Sequence, residues 1–448
     1  MTGPEVSAPA RVPIEDRLRT AGLAPIPRTA WLEIDLDALR HNLAVLREVV
    51  GPGVRVEPVV KADAYGHGAI PVARELQAAG ADGLSVATLD EAYELREAGI
   101  DLPLLVIYPV PPDHAVAAAR ARIAVSAGAG VLLGRVLEAM AQAVAADPAL
   151  PALEIHMEIE TGLGRGGVLP DEAAEVIRTV SRAPGIRLGG IWTHLAAADV
   201  PSSALAQDER FTATLDRLST LVRFSGAPAV VRRHIAGSGG VLGADVARWD
   251  ACRVGLSLYG LVPDALVAPE TTAAAAGRLR PILELRARAV RVTDLPVGHG
   301  VSYGPTFVTS RPSRIATLPV GYADGWRRFL SDSSAVLVRG VRAPLVGRVA
   351  MDAIMVDVTD VPGPPVDEDD EFVLIGEQGG ERITARELAA TGGTISYEVL
   401  AAMSRRLPRV YHAAGLPVEV RTLAGGRSEW QESSSGTATS AISRSMPS

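Results

Sequence analysis

Through the first half of the chain, short apolar runs alternate with stretches whose apolar residues recur at helical spacing. The runs fall at 56–60, 83–87, 104–108, 123–126, 153–159, 188–192, 230–235 and 252–256, each short enough for a strand. Between them, segments such as 70–79, 89–98 and 170–181 read as amphipathic helices. Eight strand–helix alternations predict an α/β fold, a (β/α)8 TIM barrel; a doubly wound sheet is the competing architecture. After Leu261 the texture changes. Val-rich runs at 283–292, 314–319, 335–338 and 372–375 are separated by Gly/Pro turns, the pattern of a mostly antiparallel β domain. The strand-like stretch 31–34 precedes the barrel and can pack with this second domain. Short helices are expected at 386–390 and 396–403.

The domain reading is therefore a flexible arm over 1–28, a barrel over 29–262, a C-terminal β domain over 263–423 and a disordered tail over 424–448. The arm has scattered prolines and no sustained period; the tail is rich in Ser, Gly and Thr. Composition adds little. The 448 residues carry 44 basic and 52 acidic side chains, a net charge of −8, with no basic tract suited to nucleic acid. The single cysteine, Cys252, cannot form an internal disulfide. No apolar run reaches the roughly 20 residues of a membrane span, and the N-terminus lacks a basic region followed by an apolar stretch. These features predict a cytoplasmic protein with no membrane partner. No metal is expected.

The informative segment is Pro58-Val59-Val60-Lys61-Ala62-Asp63-Ala64-Tyr65-Gly66-His67-Gly68, where an apolar strand ends at a lysine. Residues at the C-terminal ends of barrel strands face the active site. A lysine desolvated there loses proton affinity and offers the neutral amine that a Schiff base needs. A lysine snorkelling from a strand end is the bland alternative.

VVKADAYGHG resembles the pyridoxal-phosphate attachment motif of alanine racemases, and the likeness extends from about Trp31 to about Arg421. It implies that Lys61 binds pyridoxal 5′-phosphate covalently and that the Tyr65 hydroxyl touches the phosphate. Glu160-Thr161-Gly162-Leu163-Gly164-Arg165 resembles the family's DTGMGR segment, which makes Arg165 the expected contact to the substrate carboxylate or a cofactor oxygen. In Trp192-Thr193-His194, the resemblance implies that His194 supports the arginine under the cofactor ring. Ser238, in Ala236-Gly237-Ser238-Gly239-Gly240, can donate to phosphate. Arg253-Val254-Gly255-Leu256-Ser257-Leu258-Tyr259-Gly260 matches the R-x-G-x-x-x-Y-G stretch. By that likeness Arg253 faces the pyridine nitrogen, and Gly255 and Leu256 offer amides to the phosphate. An arginine keeps its own proton and leaves the ring unprotonated, a weaker electron sink than a carboxylate partner would give.

In the second domain, Val301-Ser302-Tyr303-Gly304-Pro305-Thr306 resembles the family's VSYGxT motif and makes Tyr303 the second catalytic base, with Arg253 and a charged His194 as its expected cationic neighbours. The segments around Tyr322 and Asp352 match two further motifs, with Ala350 where the family usually has cysteine. Met351 is expected to bind the substrate carboxylate through its amide, and Tyr397 to stand near the phosphate and entrance. Asp199, Arg328, Arg348 and Ile395 read as entrance residues of the alanine type. The resemblance further implies L- and D-alanine as substrates, a role in cell-wall synthesis, and a homodimer in which each Tyr303 serves the partner's site.

One position departs from the family. Seven residues before the arginine, many alanine racemases carry a carbamylated lysine; here stands Glu158. Strand alternation puts Glu154, His156, Glu158 and Glu160 on one face and Ile155, Met157 and Ile159 on the other. A carboxylate inside a barrel requires a guanidinium partner, so Glu158 is expected to pair with Arg165. The alternatives are a racemase of serine or another small amino acid, a decarboxylase on the same architecture, and a catalytically silent cofactor- or inhibitor-binding protein. Arg253 and Tyr303 argue against the decarboxylase. Intact Lys61 and Tyr303 argue against the silent protein.

Overall fold

The computed structural model describes residues 11–222, 231–243 and 245–424. Its first strand, β1 (Ala30–Asp35), leads into helix Leu36–Val50, whose first turn is capped by Asp35 accepting from the Ala38 amide. Eight short parallel strands follow: β2 (Arg55–Val56), β3 (Leu84–Val86), β4 (Leu104–Val106), β5 (Ile123–Ala127), β6 (Leu153–Glu158), β7 (Ile186–Trp192), β8 (Arg232–His234) and β9 (Ala251–Cys252). They pair in the order β2-β9-β8-β7-β6-β5-β4-β3. The sheet curls until the chain just past β2 meets β3, where the Val60 amide donates to Ser85 O and the Ser85 amide to Pro58 O. Each strand of the barrel coincides with one of the eight apolar runs.

The helices between strands bury their apolar faces on the outside of the barrel. Leu89–Glu97 begins with a reciprocal cap in which Thr88 and Glu91 satisfy each other's backbone amides. Ile155 and Met157 point outward beneath these helices and are fully buried. The interior is polar. His156, His234, Ser126 and Arg253 lie inside, and Trp192 Nε1 donates to Ser126 Oγ at 3.0 Å.

The C-terminal half forms antiparallel sheets. The largest is built on Leu283–Arg288, which pairs antiparallel with both β1 and Glu371–Gln378. The expected 283–292 strand is two strands. After Arg288 the chain leaves one sheet, and Arg291–Leu295 enters another beside Ser313–Leu318. Ala289 and Val290 lie at the break, and neither is a residue that announces one.

Two boundaries need correction. β1 belongs to the C-terminal sheet, between Leu283–Arg288 and Arg409–Ala413, so the barrel proper starts at Leu36 rather than 29. Residues 11–28 are no flexible arm. Helix Ile14–Thr20 buries Ile14 and Leu18 against Trp31 and Val410, while Arg17 donates to the buried carboxylate of Glu33. Two apolar side chains four apart and two ion pairs, Arg17 with Glu33 and Glu15 with Arg288, anchor a helix too short to stand alone. Residues 1–10 and 425–448, with most of the expected tail, lie outside the described residues.

Candidate active site

At the C-terminal mouth of the barrel lies a cavity of about 340 Å³, and Lys61 stands in it with Arg165, His194, Arg253, Ser238 and Tyr397. The backbone that presents Lys61 is unusual. Ala62, Asp63, Ala64 and Tyr65 all have φ between 53° and 55°, one left-handed turn made entirely of side-chain-bearing residues. Such residues cost roughly 1–2 kcal/mol each, so surrounding contacts must hold them. Glu91 Oε1 accepts from the Ala62 amide at 2.6 Å, and Asp63 Oδ1 from the Ala69 amide at 2.9 Å. From the second domain, buried Arg409 donates to Gly66 O and Tyr411 OH to His67 O. Gly66 and Gly68 let that domain close on the loop. A Cβ at Gly66 would land on Leu400 O, and one at Gly68 on the Tyr411 hydroxyl.

Burial lowers the pKa of Lys61 below the ordinary lysine value, and the positive charges of Arg165 and Arg253 lower it further, against an opposing pull from Glu91. Arg165 Nη2 donates to Glu158 Oε1 at 2.8 Å. Its guanidinium also lies 5.6 Å from the Tyr108 ring centroid and 5.8 Å from that of Trp192. The loop carrying it is wound around Glu160, whose carboxylate accepts from the amides of Gly162, Gly164 and Arg165. Across the cavity Ser238 Oγ accepts from the amides of Gly255 and Ser257 at 3.0 and 3.1 Å. Gly255 leaves room for Tyr65: a Cβ there would lie 2.6 Å from the Tyr65 hydroxyl. Tyr65, in turn, packs between Tyr259 and Tyr397.

Arg253 is buried, and desolvation, chiefly, carries its pKa down to about 10. His194 Nδ1 lies 3.4 Å from its Nη2, a marginal contact. The closer ring is His234, whose Nδ1 meets Arg253 Nη1. Sequence reasoning did not single out His234; its only signal is a histidine inside an apolar run leading to the Gly-Ser turn. His194 is not the charged neighbour expected for Tyr303. Burial, then Arg253, Arg165 and Lys61, push its pKa down to about 3, so the imidazole is neutral.

Tyr397 apart, the expected second-domain site residues stand away from the cavity. Tyr303, Met351 and Tyr322 do not line the cavity that holds Lys61; they are 74%, 52% and 41% exposed on the same chain. Asp352 pairs with Arg406 at 2.7 Å. Leu256 lines the cavity beside Gly255.

The family described as Alanine racemase, N-terminal domain, matches residues 34–263, and Alanine racemase, C-terminal domain, matches 282–411. The chain belongs to the alanine racemase family. The alanine racemase of Halothermothrix orenii is 39% identical over 388 residues, spanning 86% of this chain and 97% of that protein. The alanine racemase of Desulfovibrio desulfuricans is 41% identical over 387 residues, 86% and 98% of the two chains. Among solved structures, the alanine racemase from Bacillus anthracis with bound L-Ala-P superimposes with a TM-score of 0.79 at 35% identity, covering 90% of this chain and 99% of that one. The alanine racemase from Streptomyces coelicolor gives 0.75 at 37%, covering 88% and 99%. The barrel and the β domain are thus the two halves of an alanine racemase.

Proposed function

We propose that this chain interconverts L- and D-alanine, using pyridoxal 5′-phosphate held on Lys61, as a cytoplasmic homodimer that supplies D-alanine for peptidoglycan. The observation that carries this reading is Lys61 itself, an amine with lowered proton affinity at the mouth of a barrel, facing two guanidinium groups. The residues present fit the cofactor. Ser238, Tyr65, Tyr397 and the backbone at Gly255 and Leu256 form a polar, glycine-lined floor suited to a phosphate, and Arg253 supplies a donor for a ring nitrogen that stays unprotonated. The cofactor, when bound, supplies an aldehyde that condenses with the substrate amine and a ring that spreads the charge left when the α-proton departs.

The chain's own groups do the rest. Arg165 binds the substrate carboxylate, held in place by Glu158. The Lys61 amine takes or returns the α-proton on one face of the substrate, and the Tyr303 hydroxyl does so on the other. Tyr303 comes from a second copy of the chain, as does the Met351 amide; both are exposed here and neither lines its own cavity. Opposite bases invert the α-carbon without turning the substrate. The test is incubation of the purified protein, with cofactor, with L-alanine or D-alanine separately. Each should approach an equal mixture by circular dichroism, whereas turnover of serine but not alanine, or of neither, overturns the reading.

A further inference from the structure

A line of buried polar side chains runs down the barrel axis beneath Arg253. His234 Nδ1 meets Arg253 Nη1; His234 Nε2 lies 2.9 Å from His156 Nδ1; His156 Nε2 lies 3.0 Å from Glu154 Oε1. Both imidazoles are inaccessible to solvent. Glu154 ends the line at the opposite mouth of the barrel, in contact with Arg187 and with Arg232 Nη2 at 2.9 Å. The fold makes room for it. On β7 a Cβ at Gly190 would strike the His156 ring, and one at Gly189 the Glu154 carboxylate. The Trp192 ring lies parallel to that of His234, 5.9 Å away, and Arg253 sits 4.5 Å over the same indole.

Donor counting leaves this line one arrangement. Arginine only donates, so His234 Nδ1 must accept and its single proton sits on Nε2. His156 Nδ1 must then accept from His234, which puts the His156 proton on Nε2, pointing at the carboxylate of Glu154. Arg232 Nη2 also lies 3.1 Å from His156 Nε2. Were it the donor there, both ends of the line would donate and His234 would have to accept at both nitrogens, which a neutral ring cannot do. Arg232 is satisfied by Glu154 instead. Protonating either imidazole would turn a proton against Arg253. Burial is the largest effect on both histidines and depresses them; the neighbouring guanidiniums act in the same sense, against an opposing pull of the Glu154 hydrogen bond on His156. At Glu154 burial, the largest effect, acts upward, but the hydrogen bond from His156 and the neighbouring positive charges together carry the carboxyl down to about 2.

We infer that Glu154, His156 and His234 are positioning residues, a proton-ordered column that fixes the Arg253 guanidinium and keeps the imidazoles beneath it uncharged. The inference rests on the reading of Arg253 as the partner of the cofactor ring. Its consequence is that the ring nitrogen meets one fixed donor, with no second titrating cation behind it.

The test uses the holoenzyme labelled with 15N-histidine, the two resonances being assigned by loss in His156→Gln and His234→Gln. Two-bond 15N–1H correlation should show both rings neutral with the proton on Nε2. A protonated ring, or a proton on Nδ1 of either, overturns the inference whatever the racemase activity. A second arm separates column from packing. His234→Gln can accept from Arg253 and donate to His156, and should keep kcat within about threefold of the wild type. His234→Leu fills the space without either bond and should lose about tenfold or more in kcat, the scale of a misplaced catalytic group, with KM for alanine little changed. Equal kcat in the two variants overturns the inference. If neither His234 variant folds, His156→Gln still assigns the His156 ring, and the state of that ring in the wild-type spectrum decides. A protein that shows the ordered column but does not racemise alanine refutes the proposed function and leaves the column standing.

Discussion

Arg165 is held by a carboxylate seven residues upstream, its Nη2 donating to Glu158 Oε1 at 2.8 Å across the end of β6. Glu158 is only 9% exposed, so its carboxylate is largely removed from water and would be costly without a partner, while Arg165 stays open to solvent. A genetically encoded carboxylate at this position makes a modified lysine unnecessary. Glu158→Gln keeps the shape and removes the charge. It should raise KM for alanine roughly tenfold, the worth of about 1.4 kcal/mol, while cofactor stays bound. Added bicarbonate should leave the wild-type rate unchanged. Unaltered kinetics in the variant, or a bicarbonate response in the wild type, would sink this assignment.

Lys61 and Tyr303 should fail differently. Lys61→Ala loses the amine that holds the cofactor and should lack both its visible absorption and all racemisation. Tyr303→Phe keeps the cofactor cavity, which Tyr303 does not line, and should retain that absorption while losing turnover by about 100-fold or more. Near-normal turnover in Tyr303→Phe removes it from the mechanism.

The exposure of Tyr303 on its own chain makes assembly testable. Mixed under conditions of subunit exchange, Lys61→Ala and Tyr303→Phe should regain activity, because each mixed dimer carries one site with both bases and one with neither. No recovery, with exchange demonstrated by labelled subunits, shows that each chain builds its own site.

Lys61 also predicts a pH response. Its folded pKa lies below 10.5 because of burial and then the repulsion of Arg165. Between the folded value and 10.5 the unfolded chain holds a proton that the folded chain has released, so this residue's contribution to stability rises with pH in that window and is flat below it. The neutral amine is the form that captures the cofactor. The rate of cofactor uptake by cofactor-free protein should rise with pH to a midpoint below 10.5. A midpoint at or above 10.5 contradicts the desolvated environment.

The residues legible in the sequence are those whose meaning is local. The lysine loop, the Glu160–Arg165 turn and the Gly-Ser turn at 237–238 each announce themselves within a few positions, and the eight apolar runs mark the barrel. The left-handed turn over 62–65 does not show, because three of its four residues, Ala62, Ala64 and Tyr65, do not favour it; Arg409 and Tyr411, far along the chain, help to impose it. His234 and His156 were legible only as isolated histidines. Their pairing depends on barrel closure and on two glycines of β7 that read as ordinary strand residues. Ile14–Thr20 offered no period long enough to see, since it is anchored by Glu33 and Trp31, which precede the barrel but belong to the other sheet.

The placement of β1 sets an order of events during synthesis. Leu32 pairs with Leu285 on one side and Arg409 on the other, so the strand leaves the ribosome long before either neighbour exists. The whole barrel is translated in the interval. Its strands β3 to β9 pair in sequence order and β2 closes on β9, all before Arg409 is made, while β1 waits as an unpaired edge beside them. The parallel partner, Arg409–Ala413, lies near the end of the described residues. Nascent chains stopped before Arg409 would therefore carry a formed barrel and an open sheet, and the lysine loop would lack the clasp of Arg409 and Tyr411 until those residues have been made.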